Sequence, residues 1–280
     1  MRHIIITPVH NEENHIKRYI SSIISQDIVP KALILVDDNS TDSTISIINT
    51  FCHRYDWIKY YYHSSHDMKS QGAKVIRAFN YGLSKVSLKK VDVVTKMDAD
   101  LEVPSNYFTE IKKTFTDPKI GLSGGYILEQ RKNKWSKINQ ADYHIRGALK
   151  SYRVNCFDQI NGFEDTLGWD GLDEMKAFYF GWNSKIINVG VKHYRPASTD
   201  YNIPKLYYEL GSANYKNGGN LFLAIVRFFV KCKTKPVIYA GFAYLAGYLS
   251  LYLRNKEKNV DDKLAGFINK FHINRLLLRR

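Results

Sequence analysis

Short runs of uninterrupted apolar residues alternate along this chain with longer stretches in which apolar residues recur every three or four positions. "HIIIT", from His3 to Thr7, has the form of a buried strand. In "EENHIKRYISSIISQ", which follows, Ile16, Tyr19, Ile20, Ile23 and Ile24 fall at helical spacing. The alternation then repeats. "ALILVDD" reads as a strand, and "STDSTISIINTFCHRY" as a helix opened by Ser40, Thr41 or Asp42. "IKYYYH" and "VDVVTKM" are strands, while "GAKVIRAFNYGLSKV" and "SNYFTEIKKTF" are helices. Strands that are apolar throughout, separated by helices, predict an α/β fold with a Rossmann-like, mostly parallel sheet flanked by helices.

In such sheets ligands bind beyond the carboxyl ends of the strands. Three polar clusters fall there: "TPVHNEE", "VDDNSTD" and "KMDADLE". In the last, Asp98 and Asp100 flank a single residue, and alternate residues of an extended segment share a face. Adjacent carboxylates repel, and a hard divalent cation removes the repulsion. Mg²⁺ takes one or two carboxylates and fills its shell with substrate phosphates and water, so the pair suits a metal–diphosphate. A solvated turn has the same pattern. Asp38 ends the second strand, where a carboxylate can accept from ribose hydroxyls or a base N–H, with the residues after it turning and capping. Thr7 and Pro8 open the first cluster. Glu12 lies near a helix start, where an acid is favoured with or without a ligand. Lys74 and Arg77 come early in the third helix; a helix N-terminus with a cation suits a phosphate, and an exposed basic face accounts for them equally.

Beyond "GLSGGYIL" the pattern is less regular and rich in glycine turns, and it reads as an acceptor side of the same domain. After Pro204 the composition shifts to Tyr, Leu and Lys. "LFLAIVRFFVKCKTK" is an amphipathic helix with a basic tail. Pro236 to Leu253 carries no charge, is barely long enough to span a bilayer, and is interrupted by Gly241 and Gly247. Lysines and an arginine flank it on both sides, which sets no orientation. An interfacial or shallowly inserted hairpin on anionic lipid is the expectation, in preference to a buried helix or a full span.

Composition sharpens this picture. The chain has 280 residues, 44% of them apolar, which suits a folded catalytic domain with an appendage. Its formal net charge is +14. Residues 201–280 hold 14 Lys/Arg against 4 Asp/Glu, so the excess is concentrated at the C-terminal end and points to an anionic partner. Cys52, Cys156 and Cys232 are odd in number and far apart, with no metal spacing; they read as reduced thiols. "RHIIITPV" is too short for a secretory leader, and a cytoplasmic location, peripheral at the inner face of the cell membrane, is expected.

Taken together, "IIITPVHNEENHIKRYISSIISQ", "ALILVDDNSTDST", "GAKVIRAFNYGL" and "VVTKMDADLEVPSNYF" resemble a family 2 glycosyltransferase of the GT-A fold. The resemblance spans roughly residues 3–200. It implies a catalytic domain over 1–200, with the nucleotide-sugar half in 1–100 and the acceptor half in 101–200, followed by a helical extension over 201–280. It also implies a nucleotide-sugar donor (a UDP-sugar foremost), Mn²⁺ or Mg²⁺ at the Asp98–Asp100 pair, and inverting transfer. Donor contacts are then expected from Thr7, Pro8, Glu12, Asp38, Lys74 and Asp98. The family's second signature resembles "NGFEDTLGWDGLDEMKAFYFGW", with an acidic pair opening a helix. It implies Asp173 as general base, with Glu174 or Asp170 as alternatives because Leu172-Asp173-Glu174 departs from the usual pattern. His193, after a strand, matches a position that can ligate metal in related enzymes, and a structural or acceptor-site role accounts for it equally. Trp169 and Asp170 are expected on the acceptor side, Trp169 stacking on a sugar or simply packing.

The function implied is transfer of a sugar to a hydroxyl of a glycan or lipid-linked glycan in cell-surface polysaccharide assembly. One alternative is transfer directly to polyprenyl phosphate, which the "GWDGLDE" segment disfavours because a phosphate needs little help from a base. The alternative from another class is a basic nucleic-acid-binding protein. That requires a groove of cations interleaved with aromatics, whereas here the cations flank an apolar segment, so no nucleic acid is expected.

Overall fold

The computed structural model describes residues 1–64, 73–131, 134–195 and 203–278. In chain order the elements are β1 (His3–Val9), α1 (Ile16–Ile24), β2 (Ala32–Asp38), α2 (Thr44–Arg54), β3 (Ile58–His63), α3 (Ala73–Ser84), β4 (Val93–Met97), β5 (Leu101–Glu102), α4 (Tyr107–Thr114), β6 (Ile120–Arg131), β7 (Lys134–Lys137), β8 (Leu149–Arg153), α5 (Val154–Gln159), α6 (Trp169–Tyr179), β9 (Asn183–His193), α7 (Ile203–Lys216), α8 (Leu221–Cys232), α9 (Tyr239–Tyr252) and α10 (Asp262–Leu278). They form two compact units. The first comprises Met1–Asp165 with Phe180–Ala197; the second comprises Thr166–Tyr179 with Ser198–Arg280.

The sheet of the first unit has the order β3-β2-β1-β4-β8-β6-β9-β5, with β7 paired to β6. β3, β2, β1 and β4 run parallel, as their apolar runs predict. β8 joins β4 antiparallel and begins the less regular half. α1 is amphipathic, and it turns Ile16, Tyr19, Ile20 and Ile23 wholly inward. Each such side chain contributes roughly 1.5–3 kcal/mol by leaving water, so Ile20→Asp would undo the helix's seat. α2 departs slightly from expectation. Ser43 holds its N-cap position, and Asp42 supplies the hydrogen bond, its Oδ1 accepting from the Thr44 N–H at 3.0 Å.

The far half of the sheet has to curl. β4 and β5 lie four strand positions apart, roughly 19 Å in a flat sheet. Only Asp98, Ala99 and Asp100 connect them, and the four residue steps from Met97 to Leu101 reach about 14 Å at most. β6 provides the bend. Its register against β9 shifts between Gly124 and Tyr126, and a Cβ on Gly124 or Gly125 would lie 2.5 Å from the Leu149 or Val189 carbonyl oxygen. Two backbones approach there closer than any side chain allows.

The second unit is helical. α7 and α9 cross at glycines: a Cβ on Gly211 would stand 1.8 Å from the Tyr244 carbonyl oxygen, and one on Gly247 1.9 Å from that of Tyr208. Ala240, Gly241, Tyr244, Gly247 and Tyr248 are buried. The uncharged segment expected to enter lipid is therefore largely a packing helix. Its glycines, which weaken it as a span, are what let it pack. At 14 residues α9 is about 21 Å long, and among the described residues no helix is long and apolar enough to cross a membrane. Cys156 is buried and Cys52 and Cys232 half-buried, all three as free thiols.

Candidate active site

The short link between β4 and β5 does more than curl the sheet. Leu101 pairs with His193 at the end of β9, and the Tyr194 N–H donates to the Asp100 carbonyl at 3.1 Å. Backbone pairing thus sets His193 beside the acidic pair. Nε2 of His193 lies 3.2 Å from Oδ2 of Asp100. Ligand atoms of Asp98, Asp100 and His193 all fall within 4.8 Å of one another. Two carboxylates and an imidazole, converging at a strand rim, form a donor set that fits a divalent cation.

The surrounding charges are arranged asymmetrically. Loss of hydration pushes Asp100 up, but the hydrogen bond and charge of His193 and the charge of Arg195 outweigh it, leaving Asp100 below the ordinary carboxylate value. Burial lowers His193, but Asp100 outweighs that and holds it above its usual value. Asp98 is tilted upward by desolvation and by Asp100, against the pull of Lys96, whose buried ammonium pairs with it. So Asp100 is the more readily ionised of the two carboxylates.

Arg195 extends the cluster. Its guanidinium pairs with Glu12 and lies 3.5 Å from Asp100. Glu12 is buried, and Oε2 has no hydrogen-bond partner among the described residues. Burial is the largest influence on Glu12 and, helped by Asp100, lifts its pKa to about 7 despite Arg195. Sequence reading singled out His193 but passed over Arg195. The signal was present: in an extended segment the residue two positions on shares the face of the first.

The end of β9 is braced from several sides. Glu102 accepts from Lys192 at 2.8 Å and from the Tyr194 hydroxyl. The Arg18 guanidinium lies 4.0 Å above the Tyr194 ring, and Trp135 meets that ring edge-on. These contacts fix the residue between His193 and Arg195, and with it the direction of both side chains.

The two loops beside the cluster are latched together. Asn11 N–H donates to Ser40 Oγ at 2.9 Å, and Thr41 N–H to Asn11 Oδ1 at 2.8 Å. Glu13 N–H donates to Asp42, and Ser43 N–H to Glu13. Ser40 and Thr41, expected as caps, serve this latch instead. Asp38 is half-buried at the end of β2, and one oxygen accepts from Asn39 at 3.1 Å. Its neighbour Asp37 is fully buried, with Oδ1 unpartnered among the described residues. Thr7 turns inward to the Tyr19 hydroxyl, 2.5 Å away, while Pro8 is half-buried opposite Val36. Lys74 is exposed in the first turn of α3. Arg77 is engaged with Asp165 at 2.6 Å.

The second acidic group belongs to α6, in the helical unit. This helix opens at Trp169 rather than at the acidic pair. Gly168, at φ +77°, turns the chain, and its carbonyl accepts from Gly171 and Leu172 N–H at 3.1 Å each. Asp170 is half-buried in the first turn, and Asp173 and Glu174 fall in the second, both buried. Asp173 Oδ1 accepts from the Glu174 N–H at 2.6 Å. Trp169 is packed, only 8% exposed.

Comparison with known proteins places this arrangement. Residues 4–167 match the family model described as glycosyl transferase family 2. A GalNAc(5)-diNAcBac-PP-undecaprenol beta-1,3-glucosyltransferase of Campylobacter jejuni is 26% identical over 198 residues, 62% of this chain and 60% of that protein. The minor teichoic acid biosynthesis protein GgaA of Bacillus subtilis is 31% identical over 149 residues, 48% of this chain and 32% of its own length. The matches thus cover less than two thirds of these relatives. Among solved structures, the mannosyltransferase PcManGT of Pyrobaculum calidifontis, in complex with GDP-Man and Mn²⁺, superposes with a TM-score of 0.57 at 15% identity, over 99% of this chain and 81% of that one. S. aureus TarS 1-349 with UDP-GlcNAc gives 0.59 at 17% identity, over 91% and 73%. These likenesses show the fold, the GT-A arrangement that the strand pattern and motifs led one to expect.

Proposed function

This chain belongs to glycosyl transferase family 2, and on that premise we propose that it transfers a sugar, with inversion, from a nucleotide-sugar donor to a hydroxyl of a glycan or lipid-linked glycan in cell-surface polysaccharide assembly. The observation that carries this is the meeting of Asp98, Asp100 and His193 at the rim of the sheet. Those three side chains would hold the divalent ion. An ion bound there would supply Lewis-acid stabilisation to the leaving diphosphate. The imidazole in the set favours Mn²⁺, since Mg²⁺ prefers oxygen ligands throughout.

The chain's own residues take the remaining tasks. Asp38 accepts from the donor's ribose or base, beside the latched loops, and Glu12 and Arg195 border the phosphate end. Lys74, exposed at the start of α3, adds a cation for the phosphates, and Thr7 and Pro8 shape the floor through β1. On α6 the Asp173 carboxylate takes the proton from the acceptor hydroxyl as it attacks the anomeric carbon. Glu174 and Asp170 are its neighbours and substitutes, and Trp169 backs the acceptor. A UDP-sugar is the donor class tested first, because a fold relative binds UDP-GlcNAc.

The acceptor is membrane-borne in this reading, and the protein works peripherally at the inner face of the cell membrane. Support comes from the Campylobacter relative, whose name carries an undecaprenol-linked glycan, and from the basic C-terminal region.

A thermal-shift screen of nucleoside diphosphates and nucleotide sugars, with Mn²⁺ or Mg²⁺, tests the donor assignment. One nucleotide class should raise the melting temperature only with metal present, since a ligand stabilises by mass action. No shift with any nucleotide sugar under either metal counts against the proposal.

A further inference from the structure

The second unit presents an apolar surface to solvent where a folded helix would ordinarily be polar. On α8, Leu223 and Ala224 face the core. Phe222, Ile225 and Phe229, spaced three and four residues apart on the other side, are 56%, 42% and 62% exposed. A helix apolar on both faces belongs in a buried setting, and one side of this one is open. The surface continues past the helix. Val237, Ile238 and Phe242 are each more than half exposed. Ring contacts of Phe228 with Phe229 and Phe242, at 5.1 and 5.2 Å, tie the end of α8 to the start of α9. The Ile238 N–H closes the corner on the Cys232 carbonyl at 2.9 Å.

Charge identifies what covers this face. Lys231 lies in the last turn of α8 and Lys233 and Lys235 follow in the turn to α9, and no Asp or Glu occurs anywhere from Leu210 to Lys256. A two-fold contact between copies would set these lysines against one another, with no acid in the segment to answer them. An anionic bilayer answers both features: headgroups meet the ammonium groups and the acyl boundary takes the aromatic rings.

We propose that the corner formed by α8 and the start of α9 docks on an anionic lipid surface, with Phe222, Ile225, Phe229, Val237, Ile238 and Phe242 entering the interface and Lys231, Lys233 and Lys235 pairing with headgroups. Only the exposed start of the uncharged stretch enters the interface; the buried side of α9 packs on α7. This deepens the peripheral location proposed above and rests on it only there, since the surface has its own chemistry whatever sugar is transferred.

The test is flotation of the full chain with vesicles of phosphatidylcholine alone and of equal parts phosphatidylcholine and phosphatidylglycerol, with no donor or acceptor present. Binding to the mixed vesicles should exceed that to the neutral ones by about tenfold or more and fall with salt. Phe222→Ser with Phe229→Ser, and separately Lys231→Glu with Lys233→Glu, should each reduce it by about tenfold. Because these side chains are largely at the surface, their melting temperatures and Mn²⁺-dependent nucleotide-sugar binding should match the parent's, and normal donor binding without flotation would sink the docking surface alone. Equal partition of the Phe222→Ser/Phe229→Ser variant and the parent would overturn the proposal. So would a dimer in sedimentation that Phe229→Ser disperses, in a chain that ignores vesicles.

Discussion

Nε2 of His193 stands 3.2 Å from Oδ2 of Asp100, although the two are 93 positions apart in sequence. The pairing of β5 with the end of β9 creates this proximity, and the bend in β6 makes that pairing geometrically possible. His193→Ala should weaken Mn²⁺-dependent nucleotide-sugar binding by about tenfold or more, the usual scale for losing a group that ligates or orients at a metal site. Calorimetric titration reads this directly; unchanged affinity would show that the imidazole takes no part.

Arg195 and Glu12 should prove energetically coupled. Arg195→Ala leaves a buried carboxylate without its cation, at a cost of about 1–3 kcal/mol in chemical denaturation, below the full buried-pair figure because Arg195 is partly exposed. Glu12→Gln in the same chain should recover most of that loss, a coupling of about 1 kcal/mol or more. Simple additivity of the two changes would show that the pair does not act as one.

Asp173→Asn should leave donor affinity near the parent's and lower the rate of transfer by about a hundredfold or more, as expected when a positioned general base is removed. Full activity would shift the role to Glu174 or Asp170, and the same measurement on those two variants would tell which.

His272 supplies a pH signature in the helical unit. Burial, with Arg227 and Arg275 nearby, lowers its pKa from 6.5 to about 4. Between those values the unfolded chain binds a proton that the folded chain refuses. The stability tied to this group is therefore fully present above pH 6.5 and is lost as pH falls toward 4, by ~3 kcal/mol in all. His3, whose pKa burial likewise lowers, to about 3, adds a slope of the same sign in the first unit. Urea unfolding of His272→Leu between pH 7.5 and 4.5 should show a shallower decline than the parent; parallel curves would contradict the assignment.

What the sequence disclosed and what it hid divide along physical lines. β1 to β4 and the helices between them were legible because each buries a whole strand or one helical stripe, and that need writes itself into local periodicity. The Asp98–Asp100 pair was legible because it interrupts an apolar run. Arg195 was harder to see, since its partner Glu12 is distant in sequence and only the curl of the sheet brings them together. The start of α6 at Trp169, one turn before the expected acidic pair, depends on Gly168 turning at positive φ and on its carbonyl receiving the first amides. α9 was legible only in part, for a related reason. An uncharged run with glycines reads alike whether it meets lipid or another helix, and the crossing with α7 at Gly211 and Gly247 is a tertiary fact.

The central claim is that the carboxylates at the end of β4 hold a metal-bridged nucleotide sugar. Its most direct test is calorimetric titration of the nucleotide sugar selected by thermal shift into the parent and into Asp100→Asn, each with Mn²⁺ and with EDTA. The parent should bind about tenfold or more tighter with Mn²⁺, and Asp100→Asn should bind weakly and equally in both conditions. Equal, metal-independent affinity in parent and variant would contradict it.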